Sequence, residues 1–117
     1  MVVSKIIEPQ HLPHFAEPQV TRVTNTTTPP SSLVDVTQLA TALEQFASDR
    51  NWAQFHSPKN LAMALSGEVG ELTEIFQWMT EDASKEAARN PETAQAVKDE
   101  LADVLMYVVR LASVLGV

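Results

Sequence analysis

The sequence predicts an all-α fold, an antiparallel helical bundle preceded by a tail without periodicity, and three observations carry that expectation. Apolar residues recur at helical spacing in three stretches after residue 33. Val, Ile and Thr never alternate at period two for long enough to build a sheet. Ser-Pro and Asn-Pro pairs stand where a helical pattern restarts.

Residues 1–32 read as a disordered tail, and residues 33–117 as the helical domain. The tail holds Pro9, Pro13, Pro18, Pro29 and Pro30 with the Thr-rich run "TNTTTPP", and no apolar face that could be buried. Asp35 and Gln38 then form a plausible capping pair, and Val36, Leu39, Ala40, Leu43, Phe46 and Ala47 recur at helical spacing to about Asp49. "RNWAQFH" interrupts that first helix. Ser57 followed by Pro58 starts a second, expected from Pro58 to about Met79. "TEDASKEAARN" breaks the period again, and Asn90 with Pro91 opens a third helix that runs to about Leu115. Short loops between helices make neighbours antiparallel.

The second and third helices share an anomaly. Glu68 and Glu71 are three apart, hence on one helical face, and that face otherwise carries Leu61, Leu65, Leu72, Ile75 and Met79. Glu100 and Asp103 repeat the spacing among Val97, Val104, Tyr107 and Leu111. Glu74, Gln77, Lys98, Asp99 and Arg110 fall off these stripes and read as solvated. One such pair is ordinarily a set of rim charges matched by Lys or Arg. Two matched pairs would set four inward carboxylates repelling one another, at several kcal/mol each in desolvation, with no comparable basic cluster facing them. A hard divalent cation answers that charge. Oxygen-only ligands suit Mg²⁺ or Mn²⁺ rather than zinc, and the lack of a Glu-x-x-His pair weighs against a di-iron bundle. Since Mg²⁺ keeps waters and binds substrate phosphates, the pattern points to phosphate-ester chemistry.

Composition narrows the class further. At 117 residues the chain makes one domain, and a net charge of −7 with eight Lys and Arg makes a nucleic-acid duplex an unsuitable partner. The absence of Cys excludes thiolate chemistry and fits a reducing compartment, with the cytoplasm as the expectation. No stretch reaches the ~18 to 20 apolar residues that a membrane span needs, and neither a signal nor a transit peptide is evident.

Glu-x-x-Glu, 28 intervening residues and Glu-x-x-Asp, flanked by "GEVGEL" and "DELADVLMYV", resemble the MazG-like nucleotide pyrophosphohydrolases. "FASDRNWAQFHSPKNLAMALSGEVGELTEIFQW" looks like the dCTP pyrophosphatase branch, and the resemblance covers about Phe46 to Gly116. It implies a Mg²⁺-dependent enzyme, with Mn²⁺ a possible substitute, that converts a nucleoside triphosphate to its monophosphate and pyrophosphate. dCTP or a related modified deoxynucleotide is the expected substrate. A broader MazG-like hydrolase and a catalytically silent helical oligomerisation module remain as alternatives.

Carried over by residue, the family's metal-binding and catalytic acids fall on Glu68, Glu71, Glu100 and Asp103. Its substrate contacts fall on Trp52, His56, Lys59, Trp78 and Tyr107. For the tryptophans, stacking on a base competes with a place in the core or an interface. For His56, a hydrogen-bonding role in the loop is the ordinary alternative. Tyr107 could equally be packed core with its hydroxyl satisfied, and Lys59 a solvated lysine beside the anion-favouring start of the second helix. Relatives complete their bundles across subunits as dimers or tetramers, and they continue past the third helix where this chain stops at "LASVLGV", so the resemblance implies a domain shortened at its C-terminus. About 20 residues of helix, roughly 30 Å, separate Trp52 from Trp78. A shared base site would therefore draw them from different subunits.

Overall fold

The computed structural model describes residues 34–117, and the tail expected over residues 1–32 lies outside them. Among the described residues there are four α-helices and a single 3₁₀ turn, with no strand. The first helix, α1, spans Thr37–Asp49. Its expected Asp35–Gln38 cap does not form. Asp35 instead accepts a bond from the Thr37 N–H at 2.9 Å, and Val36, which has no capping side chain, holds the N-cap. Asn51, at φ 55°, turns the chain after α1 through the left-handed region that Asn tolerates better than most residues. Trp52 follows, and the 3₁₀ turn Ala53–Phe55 leads on to α2.

α2 spans Pro58–Phe76, and its start is the one the sequence announces. Ser57 Oγ accepts the Asn60 N–H at 3.2 Å, Pro58 contributes no N–H that needs a partner, and the Asn60 amide donates to the Phe55 carbonyl at 3.0 Å. Ser57→Ala should therefore cost about 1 kcal/mol. Denaturant unfolding checks this, since the midpoint should fall with an unchanged slope.

The helix ends at Phe76 rather than Met79. Thr80 caps a short helix, α3, over Glu81–Lys85, accepting the Ala83 N–H at 3.2 Å. Five residues are too few to show a period, so the sequence pattern does not reveal α3. Asn90 and Pro91 form a turn, with the Asn90 side chain accepting the Glu92 N–H at 3.0 Å. The last helix, α4, begins later than expected and spans Ala94–Leu115. Gly116, at φ 70°, closes α4 in the left-handed conformation that glycine adopts without penalty, and the Val117 N–H returns to the Ala112 carbonyl at 3.0 Å.

α4 packs on α2 and on α1. Leu43, Leu61, Tyr107 and Val109 form the core cluster, with Phe46, Trp52, Leu65 and Met106 packed around it. The cluster joins the start of α2 to the later half of α4, whereas the acids join the middle of α2 to Glu100 near the start of α4. Residue numbers rise along one helix as they fall along the other, so α2 and α4 are antiparallel.

Candidate active site

α2 and α4 bring three of the four expected acids together. One carboxylate oxygen from each of Glu68, Glu71 and Glu100 lies within 4.8 Å of the others. Glu68 and Glu100 are buried, while Glu71 is exposed. Both pairs were expected to face inward, but Glu71 sits at the edge of the stripe, where the α2–α4 seam opens to solvent. Asp103 is 1 % exposed, one turn further along α4 and outside the group of three. Its side chain is one methylene shorter than that of Glu. An all-oxygen donor set of this kind fits a hard divalent cation and does not fit zinc or copper.

A second feature lies one to two turns further along α4. Leu43 and Phe46 of α1, His56, and Met106, Tyr107 and Arg110 of α4 line a small recess of about 10 Å³. That is about the room one water takes, well below the roughly 300–1,000 Å³ of pockets for whole small molecules, so within one chain the recess does not enclose a base. Its residues on α4 follow Glu100 and Asp103 by about six positions, roughly 10 Å along the axis. The acid group and the recess are thus two ends of one helix.

Arg110 corrects the sequence reading. Expected on a solvated face, it is 6 % exposed, pairs with Glu44 of α1, and donates from Nε to His56 Nδ1 at 3.1 Å. Its partners lie 54 and 66 residues away in sequence, beyond the reach of local periodicity. Burial is the main cause that holds the His56 pKa below its ordinary value; the Arg110 guanidinium lowers it further, and Glu44 opposes. The unfolded chain thus takes up a proton near pH 6.5 that the folded chain resists. This contribution to stability is complete above about pH 6.5 and is lost as pH falls from there toward the lower folded value. Thermal unfolding of the wild type between about pH 7.5 and 5.5 should show that loss. A His56→Gln variant, in which the proton uptake is absent, should show a flatter profile.

The other expected substrate residues are dispersed. Trp52 packs edge-on against Phe46 with ring centroids 5.6 Å apart, and lies 6.3 Å from the His56 ring. The Arg50 guanidinium stacks over Phe46 at 3.4 Å. Tyr107 is 3 % exposed within the core cluster and also lines the recess. Lys59 is exposed in the first turn of α2, nine residues and roughly 13 Å along the axis from Glu68, at the recess end rather than the acid end. Trp78 is 88 % exposed just beyond the other end of α2. One chain therefore does not bring Trp52 and Trp78 together. Glu44, Leu43, Phe46, Met106 and Arg110 are the site residues that the sequence pattern does not single out.

Two antiparallel helices that gather carboxylates between them define an all-α protein with a metal-type acidic cluster. Residues 63–117 match the MazG-like family. The chain belongs to that family. Its similarity is to the dCTP pyrophosphatase branch. Over 85 residues it is 45 % identical to dCTP pyrophosphatase 1 of Homo sapiens, a match covering 73 % of this chain and 48 % of the relative. Over 69 residues it is 48 % identical to dCTP pyrophosphatase 1 of Bos taurus, covering 59 % and 41 %. The chain spans about half the length of the curated relatives it matches. Among solved structures, a pyrophosphatase from Archaeoglobus fulgidus superposes with a TM-score of 0.64 at 35 % identity, covering 77 % of this chain and 82 % of that one.

Proposed function

We propose that the chain is a Mg²⁺-dependent nucleoside triphosphate pyrophosphohydrolase that acts on dCTP or a related modified deoxynucleotide and sanitises the cytoplasmic nucleotide pool. The observation that carries this reading is the group of carboxylates that α2 and α4 bring together, Glu68, Glu71 and Glu100, near enough to share one cation. A nucleotide bound there would have its phosphates at the acids and its base toward Trp52, His56 and Tyr107. The similarity to proteins named dCTP pyrophosphatase 1 supports the choice of substrate.

Glu68, Glu71 and Glu100 would hold the cation, with Asp103 one turn along as the fourth acid. When bound, a divalent cation there neutralises phosphate oxygens and lowers the pKa of a coordinated water. One of these Glu residues would accept the proton of the attacking water. Tyr107 and His56 border the base end, and Trp52 backs His56. Lys59 and Trp78 serve the substrate in this reading only across a subunit interface.

That interface is part of the proposal. Leu101, Leu105, Val108 and Leu115 are about half exposed on one stripe of α4, with Met63 and Trp78 exposed elsewhere. Such a stripe is wide for a monomer. A dimer or tetramer is expected by light scattering at micromolar concentration, and a stable monomer would refute it. Among the described residues, no helix is long and apolar enough to cross a membrane.

Pyrophosphate release from a panel of nucleoside triphosphates, with and without Mg²⁺, tests the activity. Release from dCTP only with the cation supports the proposal. Equal release from many bases would favour a broader MazG-like hydrolase, and no release from any would leave a silent oligomerisation module.

A further inference from the structure

The segment between α1 and α2 carries Trp52 and His56, and its 3₁₀ turn, Ala53–Phe55, buries none of its own residues. Local bonds give it a shape: the Trp52 N–H donates to the Ala47 carbonyl at 2.8 Å, the His56 N–H to the Ala53 carbonyl at 3.2 Å, and the Asn60 amide to the Phe55 carbonyl at 3.0 Å. These bonds stay within the segment or reach the adjoining ends of α1 and α2. Arg110 reaches it from α4. Its buried guanidinium donates from Nε to His56 Nδ1 at 3.1 Å and pairs through a terminal nitrogen with Glu44 of α1. The planar fork of a guanidinium fixes the directions of both bonds at once. One buried cation thus joins the segment to α1 and to the helix that carries Glu100 and Asp103. Trp52 stands behind His56, with the ring centroids 6.3 Å apart, and rests edge-on against Phe46.

Resting on the pyrophosphohydrolase reading, we propose that Arg110, oriented by Glu44, is a positioning residue that holds residues 51–57 in register with the acids of α4. Arg110 makes no contact with the substrate. It acts through His56 on Trp52, keeping the indole where a base can stack on it while the phosphates lie at the acids. A loop set in place beforehand spares binding the cost of ordering it. The contribution of Arg110 therefore appears in KM, and the metal-assisted step at the far end of α4 is left alone.

The test is steady-state hydrolysis of dCTP by the full chain, together with hydrogen exchange of its backbone amides. Arg110→Met, similar in length and uncharged, should raise KM about tenfold, the order of one base–aromatic stack, with kcat changed by less than about twofold. The Mg²⁺ concentration for half-maximal activity should stay as it is, because Glu68, Glu71 and Glu100 are untouched. The Trp52 and His56 amides should exchange faster in the variant, and those in the middle of α2 should not. Glu44→Ala, at a mostly exposed position, should shift KM and exchange the same way by less, and it carries the test if Arg110→Met does not fold. A double-mutant cycle separates positioning from general weakening. Added to Trp52→Ala, Arg110→Met should raise KM by less than about twofold more, since the residue it acts through is already gone. A full tenfold rise in both backgrounds would overturn the proposal, as would a fall in kcat at constant KM. Unchanged KM or unchanged loop exchange in an active Arg110→Met enzyme removes this proposal alone. A wild type that releases no pyrophosphate from any nucleotide removes the enzymatic reading, and this proposal with it.

Discussion

Glu71→Gln is expected to lower pyrophosphate release from dCTP by on the order of 100-fold at limiting Mg²⁺, without unfolding the protein. Loss of a partner that merely orients a metal ligand typically costs 10- to 100-fold, so loss of a charged ligand should cost at least as much. Glu71 is exposed, and an exposed substitution of similar size changes stability by no more than about 0.5 kcal/mol. Activity and fold are thereby separated, as they would not be at the buried Glu68 or Glu100. Two unit charges 4.8 Å apart repel by about 3 kcal/mol at an effective dielectric near 20. Mg²⁺ should consequently raise the thermal midpoint of the wild type, and raise that of Glu71→Gln less. A variant as active as the parent at limiting Mg²⁺ removes Glu71 from the metal site.

Leu61→Ala should be the most damaging single truncation for stability. Leu61 is fully buried at the start of α2, in the cluster with Leu43, Tyr107 and Val109. The loss of transfer energy and the cavity left between three helices should together cost about 3 kcal/mol. In a domain of this size that lowers the melting midpoint by more than about 10 °C. Leu101→Ala is the control. With Leu101 52 % exposed, an isolated chain should lose no more than about 0.5 kcal/mol. A larger loss that deepens on dilution would show that a second subunit covers this stripe.

Local signals in the sequence were enough for the helical skeleton. Ser57 and Pro58 mark a true start because the capping geometry is contained within four residues. The antiparallel pairing of α2 with α4, and the proximity of Glu68, Glu71 and Glu100, follow from apolar stripes that need only be laid against one another. Several features escaped because contacts outside a single helix's own period decide them. Arg110 looked solvated because a wheel drawn for α4 alone has one inward stripe, whereas this helix also buries Val109 and reaches Glu44 of α1. Asn90 and Pro91 resemble a helix start but close a turn, and the Thr93 hydroxyl bonds back to the Ala87 carbonyl at 2.7 Å before α4 begins. Glu71 shares its spacing with buried Glu68, yet the width of the α2–α4 seam leaves it at the rim. The bond from Arg110 to His56 could not be read from sequence at all, since it joins residues 54 positions apart.

The continuity of α4 also limits how this protein can diversify. Glu100 and Asp103 at one end, and Met106, Tyr107 and Arg110 at the other, are indexed to a single unbroken helix. Inserting or deleting one residue between Asp103 and Met106 would rotate one end against the other by about 100° and swing the recess residues out of line with the acids. Point substitutions at Met106 or Arg110 involve no such rotation. On the proposed function, a lineage built on this helix can therefore explore new substrates by exchanging side chains, while the length of the segment between Asp103 and Met106 stays frozen.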